Sequence, residues 1–214
     1  MGRQDAPLPR YRHDARAVTV AALYVEAGGV YYGLPGVDPW DETRDARTYP
    51  GPWPVVAHPP CNVWCQLASV NEKRWGRRIG DDEGTFAAAL AAVRRWGGVL
   101  EHPAFSLAWH RYGLPIPHRG GWVQVLDEPG MSTELWQAAY GHDAAKRTWL
   151  YAVGIDPAAL DWRRVKGRAV IGAGINSGES VGRIKVEKPA ARRTPVAFRN
   201  VLLDLARTVA TADA

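Results

Sequence analysis

The stretch Pro54-Val55-Val56-Ala57-His58-Pro59-Pro60-Cys61 places a short apolar run directly before a turn that carries a histidine and a cysteine. Such a run, bounded by turn residues, is typical of a strand buried on both faces of a parallel sheet. The two prolines that follow His58 restrict the backbone and therefore hold Cys61 on a rigid turn. Since ligands of open α/β sheets bind outside the carboxyl ends of the strands, this stretch predicts a functional site at its end.

Short apolar runs and helical segments alternate along the rest of the chain. Residues 17–26 are enriched in β-branched and aromatic residues, and the Ala-rich residues 85–96 have the composition of a helix. Residues 71–83 are polar and basic and are expected to form a mobile loop. The alternation predicts an α/β fold with a mainly parallel sheet and flanking helices. Further strands are expected at residues 30–32, 99–101, 122–125 and 148–153, and a closing helix from 194 to 208.

Composition limits the class of protein. The chain has 214 residues, of which 46% are hydrophobic and 23% charged, so we expect a folded protein and not a disordered one. No apolar stretch is long enough to span a membrane, and the first 16 residues lack the apolar core of a secretory signal. The net charge of +5 fits contact with a polyanion, and it also fits simple solubility. The two cysteines cannot build a disulfide framework, which favours a cytoplasmic location.

The expected organisation is one domain with two irregular parts. Residues 1–16 are expected to be a flexible N-terminal arm, and residues 17–214 a single α/β domain. Within this domain, residues 156–193 are rich in Gly and Arg with weak periodicity, and they are expected to be a loop-rich insertion.

Three segments at predicted strand ends carry reactive side chains. The thiol of Cys61, held on a rigid turn, suits nucleophilic catalysis. The alternative is that Cys61 is only a small buried side chain, as free cysteines often are. Glu101, at the end of the next strand, could protonate or hydrogen-bond the edge of a base, or be an ordinary solvated carboxylate. Lys146 and Arg147 precede a further strand and could hold a phosphate or a base carbonyl, or form a solvated turn.

Two other constellations have alternative interpretations. His58, Cys61, Cys65 and His102 could supply four zinc ligands, but the cysteine spacing differs from that of the zinc deaminases and no His-x-Glu precedes it. Several tryptophans flank the predicted site and could stack on a base, while packing is the more ordinary role of this residue. They are Trp64, Trp75, Trp109 and Trp122.

Taken in order, these motifs resemble those of the DNA cytosine carbon-5 methyltransferases. Pro59-Pro60-Cys61 is similar to the Pro-Pro-Cys of that family, and Leu100-Glu101-His102-Pro103 stands where the family has Glu-Asn-Val. Residues 144–154 are similar to the basic motif that leads a strand ending in glycine, and residues 23–30 to the opening Gly-rich motif. Similarity to small phage-encoded DNA methylases is also suspected.

The resemblance implies a reduced Rossmann-like methyltransferase fold in a cytoplasmic enzyme that acts on DNA or on a pyrimidine nucleotide, not on membranes. A homodimer could complete the DNA cleft. The implied catalytic residues are Cys61, Glu101 and Arg147. The implied substrate-binding residues are His58, Pro60, Trp64, His102 and Lys146, with Lys73, Arg74, Arg77 and Arg78 holding phosphates. The implied cofactor is S-adenosylmethionine, bound by Glu26, Gly28, Gly29 and Asp45.

Other functions remain open at this point. Glu26 stands where the family has glycine, so the same cysteine chemistry could act without S-adenosylmethionine on a base or a free nucleotide. A catalytically inactive module on the same fold could bind only DNA or a protein. The zinc site described above is the third alternative.

Overall fold

The chain is described by a computed structural model over residues 19–66, 68–157, 160–171, 184–186 and 193–209. In this part of the chain the main sheet has seven strands. They are β1 (Val20–Leu23), β2 (Val37–Trp40), β3 (Val55–Ala57), β4 (Gly98–Pro103), β5 (Val123–Gln124), β6 (Met131–Trp136) and β7 (Arg147–Val153). The α-helices are α1 (Ala68–Trp75), α2 (Thr85–Trp96), α3 (Leu107–Arg111) and α4 (Val196–Arg207), and short 3-10 helices span Ala46–Thr48 and Gln137–Tyr140.

The sheet has a parallel half and an antiparallel half, in the order β2-β1-β3-β4-β7-β6-β5. The first four strands in this order pair in parallel with one another. β7, β6 and β5 then continue the sheet with antiparallel pairing. The order of the parallel strands reverses between β1 and β3, which is where doubly wound sheets open a crevice for ligands.

Helices cover both faces of the sheet and give it two cores. On one face α2 packs Phe86 and Val93 against strand residues such as Leu100. On the other face α4 packs Phe198 and Leu202, which are fully buried, against Val56, Val99 and other strand residues. Successive side chains of a strand point to opposite faces of the sheet, so two consecutive residues at a strand end lie in different cores.

The predicted α/β class, with a parallel core, is confirmed. The strands predicted at 54–57 and 148–153 and the helices predicted at 85–96 and 194–208 also have counterparts in β3, β7, α2 and α4. The strand predicted at 17–26 is limited to Val20–Leu23 among the described residues. The predicted arm at residues 1–16 lies outside the described residues.

Two predictions about local structure are wrong. Residues 71–75 belong to helix α1 and not to a loop, and residues 30–32 form turns and not a strand. Strands β2 and β6 were not predicted from the sequence. The insertion at 156–193 contains β8 (Ala169–Ile171) and β9 (Ile184–Val186), which pair in parallel as a second small sheet.

None of the helices in the described part of the chain combines the length and the apolar character that a membrane span requires.

Candidate functional site

The pairing of β3 with β4 brings the two predicted reactive strand ends together. In this parallel pair Ala57 lies opposite Leu100, so the next residues, His58 and Glu101, are neighbours at the carboxyl edge of the sheet. His58 Nδ1 lies 3.0 Å from Glu101 Oε2, and both side chains are about nine-tenths buried. The structure therefore brings two residues that were predicted for one site into direct contact.

His58 and Glu101 belong to a row of hydrogen-bonded side chains that crosses the sheet. The Tyr31 hydroxyl lies 2.8 Å from His58 Nε2. On the other side of the carboxylate, Gln137 Nε2 donates to Glu101 Oε1 at 3.0 Å and to Thr148 Oγ1 at 2.9 Å. We call these five residues the polar row. Because an ionised carboxylate only accepts hydrogen bonds, His58 donates from Nδ1 to Glu101.

Glu101 is ionised despite its burial. Burial alone would raise its pKa, but the charge of Lys146 and the hydrogen bond and charge of His58 outweigh this and lower the pKa to about 2. A buried carboxylate that keeps its charge is a strong hydrogen-bond acceptor. It therefore suits the recognition of N–H groups better than proton donation.

His102 follows Glu101 in sequence, but its side chain lies on the opposite face of the sheet, in the core that α2 covers. It is 1% exposed, its Nδ1 lies 2.7 Å from Ser106 Oγ, and its ring contacts Phe86 and Trp109. Burial lowers its pKa to about 4, against the opposing effects of Glu101 and of the carbonyls of the Pro59-Pro60 turn. His102 is thus a neutral side chain that lies beneath the turn leading to Cys61, and we assign it to positioning this turn.

Cys61 begins a helical turn immediately beyond the Pro-Pro pair. Its carbonyl accepts hydrogen bonds from the backbone N–H groups of Trp64 and Cys65, and its side chain is partly exposed. Because Cys61 follows His58 by three residues, its turn begins at the edge of the sheet that carries Glu101. Partial exposure on an ordered turn satisfies what a nucleophilic thiol requires.

Arg147, predicted to be catalytic, faces away from Glu101. Its Nη2 contacts both carboxylate oxygens of Glu134 at 2.8 Å, and its guanidinium lies 4.4 Å from the centroid of the Phe105 ring. These neighbours belong to the α2 side of the sheet. The adjacent Lys146 is the residue whose charge reaches Glu101.

Trp64 is a core residue in this structure. It is 4% exposed, packs against Phe86 and Tyr112, and donates from Nε1 to Asp82 at 2.8 Å. Such a buried ring offers no open face for stacking on a base, so we leave Trp64 out of the candidate site.

The predicted phosphate-binding cations lie on helix α1 and just beyond it. Lys73, Arg74, Arg77 and Arg78 are all exposed, and they follow the Cys61 turn directly. The side chain of Trp75 is 61% exposed, and the guanidinium of Arg74 lies 5.7 Å from its ring. This segment therefore forms an exposed basic and aromatic surface on the helix that follows the Cys61 turn in sequence.

Three of the four predicted cofactor residues, Glu26, Gly28 and Gly29, lie in a turn that follows β1. Gly28 has φ +65° and Gly29 donates from its N–H to the carbonyl of Glu26 at 2.9 Å. Tyr24, where β1 ends, has φ +59° and a buried hydroxyl with no hydrogen-bond partner among the described residues. Asp45 caps the first 3-10 helix, where hydrogen bonds from Arg47 lower its pKa, and its charge acts on Tyr24.

The four residues considered for zinc do not assemble into a ligand set. Both ring nitrogens of His58 face Tyr31 and Glu101, and His102 belongs to the opposite core. Over the described ranges, no group of three or more His, Cys, Asp or Glu side chains is arranged to hold a metal ion.

Sequence reasoning missed three members of the polar row. Tyr31 lies in an irregular turn, Gln137 in a 3-10 helix, and Thr148 within a strand that was predicted for its apolar content. No short motif marks these residues, because strand pairing brings them together from distant parts of the chain.

No protein-family model matches the chain, and no curated protein or solved structure matches it significantly.

Proposed function

We propose that the protein modifies a pyrimidine base of a nucleic acid, with Cys61 adding to ring carbon 6 in the manner of cytosine carbon-5 methyltransferases. The observation that carries this proposal is the contact between His58 and Glu101 across β3 and β4. It joins the Pro-Pro-Cys turn and the Glu101 strand end at one edge of the sheet, as the chemistry requires.

The strand order supports a reduced methyltransferase-like fold. The four parallel strands run in the order β2-β1-β3-β4, so the crevice expected at the reversal lies between β1 and β3. The turn that contains Gly28 and Gly29 follows β1, and the turn that contains Pro59, Pro60 and Cys61 follows β3. The proposed cofactor and nucleophile residues therefore occupy adjacent strand ends.

Cys61 begins the reaction by forming a bond from Sγ to carbon 6 of the pyrimidine. The electrons of the C5–C6 double bond move toward carbon 5 and the ring, which makes carbon 5 nucleophilic. Once carbon 5 has taken an electrophile, its proton leaves to solvent. The C5–C6 double bond then re-forms and expels Cys61 as a thiolate.

Glu101 stabilises the ring during this addition. As an ionised carboxylate it accepts the N–H of the amino group of cytosine and that of ring nitrogen 3, which takes up a proton from solvent as Cys61 adds and releases it when Cys61 leaves. His58 and Gln137 each hold one of its two oxygens, so they fix the orientation of the carboxylate before the base arrives. They are positioning residues in this scheme.

S-adenosylmethionine is the cofactor that the resemblance implies, and the end of β1 fits a bound group there. The turn at residues 26–29 lies beside the strand-order reversal, and the buried Tyr24 hydroxyl has no partner among the described residues. We propose that Glu26, Gly28, Gly29 and Tyr24 hold it; we omit Asp45 because Arg47 occupies its carboxylate. When bound, the cofactor supplies an electrophilic methyl group.

Nucleoside mass spectrometry tests the proposed function. DNA is isolated from cells that express the wild-type protein, Cys61→Ser or the matched control Cys65→Ser. We expect a new modified pyrimidine with the wild type and with Cys65→Ser, and none with Cys61→Ser. The absence of a new nucleoside in the wild type, or its persistence in Cys61→Ser, would overturn the proposal.

A further inference from the structure

A cleft of about 470 Å³ lies on the α2 side of the antiparallel half of the sheet, away from the polar row. Four cationic residues line it, together with one carboxylate among the described residues. The cations are Arg119, Arg147, Arg164 and Lys166, and the carboxylate is Glu134.

The carboxylate in the cleft is already neutralised. Glu134 is 5% exposed, receives both contacts of Arg147 Nη2 at 2.8 Å, and accepts a hydrogen bond from Trp149 Nε1 at 2.9 Å. Arg119, Arg164 and Lys166 are exposed at the surface of the same cleft. Among the described residues, cationic side chains therefore outnumber carboxylates in the lining of the cleft, which suits a polyanionic ligand.

Aromatic rings accompany these cations. The guanidinium of Arg147 lies between Phe105 and Trp136, at 4.4 and 5.1 Å from the ring centroids, and that of Arg119 lies 5.9 Å from Trp136. Phe105 is 39% exposed and is held at φ +63°, a conformation that is strained for a bulky side chain. Of these two rings, Trp136 lines the cleft and is 6% exposed, so the cations and not base stacking provide the expected contacts with a nucleic acid.

The cleft is connected to the candidate catalytic edge by short segments of chain. Phe105 follows Glu101 by four residues, and Arg147 follows Lys146, whose charge acts on Glu101. The cleft and the candidate catalytic edge are thus linked along the chain, although they lie on opposite faces of the sheet.

We infer that this cleft binds the phosphates of a single nucleic-acid strand, so that the substrate of the proposed enzyme is a polynucleotide and not a free nucleotide. This inference rests on the proposed function for the chemistry that follows binding. The binding itself is measurable without turnover and without a methyl donor.

Fluorescence anisotropy with a 12-nucleotide single-stranded DNA of mixed sequence tests the inference. The triple variant Arg119→Ala, Arg164→Ala, Lys166→Ala is expected to bind at least tenfold more weakly than the wild type. Its plot of log affinity against log salt is expected to be shallower by about 2, because each lost phosphate contact removes about 0.7 from the slope. Arg163→Ala is the matched control, since this exposed neighbour pairs with Asp161 and does not line the cleft.

Competition experiments identify the ligand class. We expect free dCMP, and a duplex of the same sequence, to displace the bound strand only at concentrations at least tenfold higher than the unlabelled single strand. Equal competition by dCMP, tighter binding of the duplex, or unchanged affinity of the triple variant would each overturn the inference. Cys61→Ser is expected to bind like the wild type, so that a failure of the catalytic proposal is distinguished from a failure of this one.

Discussion

Glu101 and His102 are consecutive residues, and their side chains lie on opposite faces of the sheet. They also differ in protonation state. Glu101 is ionised with a pKa lowered to about 2, and His102 is neutral with a pKa lowered to about 4. Both pKa values lie below those of the unfolded chain, so the unfolded state takes up protons first on acidification. Both residues therefore stabilise the fold less as the pH falls.

The pH dependence of unfolding separates the two residues. His102 contributes stability that is present above its unfolded pKa of 6.5 and is lost as the pH falls towards 4, by up to about 3 kcal/mol. Urea unfolding of the wild type and of His102→Gln between pH 7.5 and 4.5 checks this. We expect a steeper loss of stability in the wild type; equal pH slopes would show that His102 does not titrate as described. Glu101 acts at lower pH, between its unfolded value of 4.5 and 2.

At this scale the sequence identifies residues with distinctive local context and misses those without it. Cys61 and Glu101 were predicted because each follows an apolar run at a turn. Tyr31 and Gln137 lie 27 residues before His58 and 36 residues after Glu101, and only the folded sheet brings them into contact. Arg147 was assigned to catalysis from its place in a motif, but side-chain alternation directs it to the other face.

At the scale of the element, helix α1 carries exposed cations and an exposed tryptophan on its surface. Its two nearest tryptophans differ sharply, since Trp75 is 61% exposed and Trp64 is 4% exposed. We expect Trp75→Ala to change the free energy of unfolding by less than about 0.5 kcal/mol, and Trp64→Ala to lower it by about 3–5 kcal/mol.

The same pair of variants tests whether α1 contacts nucleic acid. Trp75→Ala is expected to weaken single-stranded DNA binding at least fivefold, because an exposed tryptophan beside cations is suited to stacking on a base. Anisotropy measurements on the folded variant check this. Unchanged affinity would assign α1 to another role and would remove Trp75 from the binding surface.

Elements with unusual composition were the ones that sequence patterns failed to predict. α1 is polar on nearly all sides, so it has no apolar stripe to reveal its helical period. β2 contains Asp38 and Pro39 and is tolerated because it lies at the sheet edge. β6 buries Ser132, Thr133 and Glu134, whose side chains are hydrogen-bonded to partners that lie far away in sequence.

At the scale of the whole molecule, the sheet explains how two separate surfaces arise from one set of strand ends. The parallel half was predictable from alternating strands and helices, whereas antiparallel pairing of β4 with β7 depends on contacts between distant residues. That pairing directs Thr148 to the polar row and Arg147 to the cationic cleft. The strand ends that carry Cys61 and Glu101 could thus be predicted from the sequence. Which neighbouring side chains join the polar row and which line the cleft could not.

The central claim is that Cys61 adds reversibly to carbon 6 of a pyrimidine, and hydrogen exchange at carbon 5 tests it without any methyl donor. Purified protein is incubated in D2O with a single-stranded oligonucleotide that contains cytosine. The oligonucleotide is then digested in H2O, and the masses of the nucleosides are measured by mass spectrometry. Because addition makes carbon 5 take up a deuteron from solvent, we expect deoxycytidine to gain about 1 Da with the wild type and with Cys65→Ser, and not with Cys61→Ser. No exchange with the wild type, or exchange that persists in Cys61→Ser, would contradict the claim.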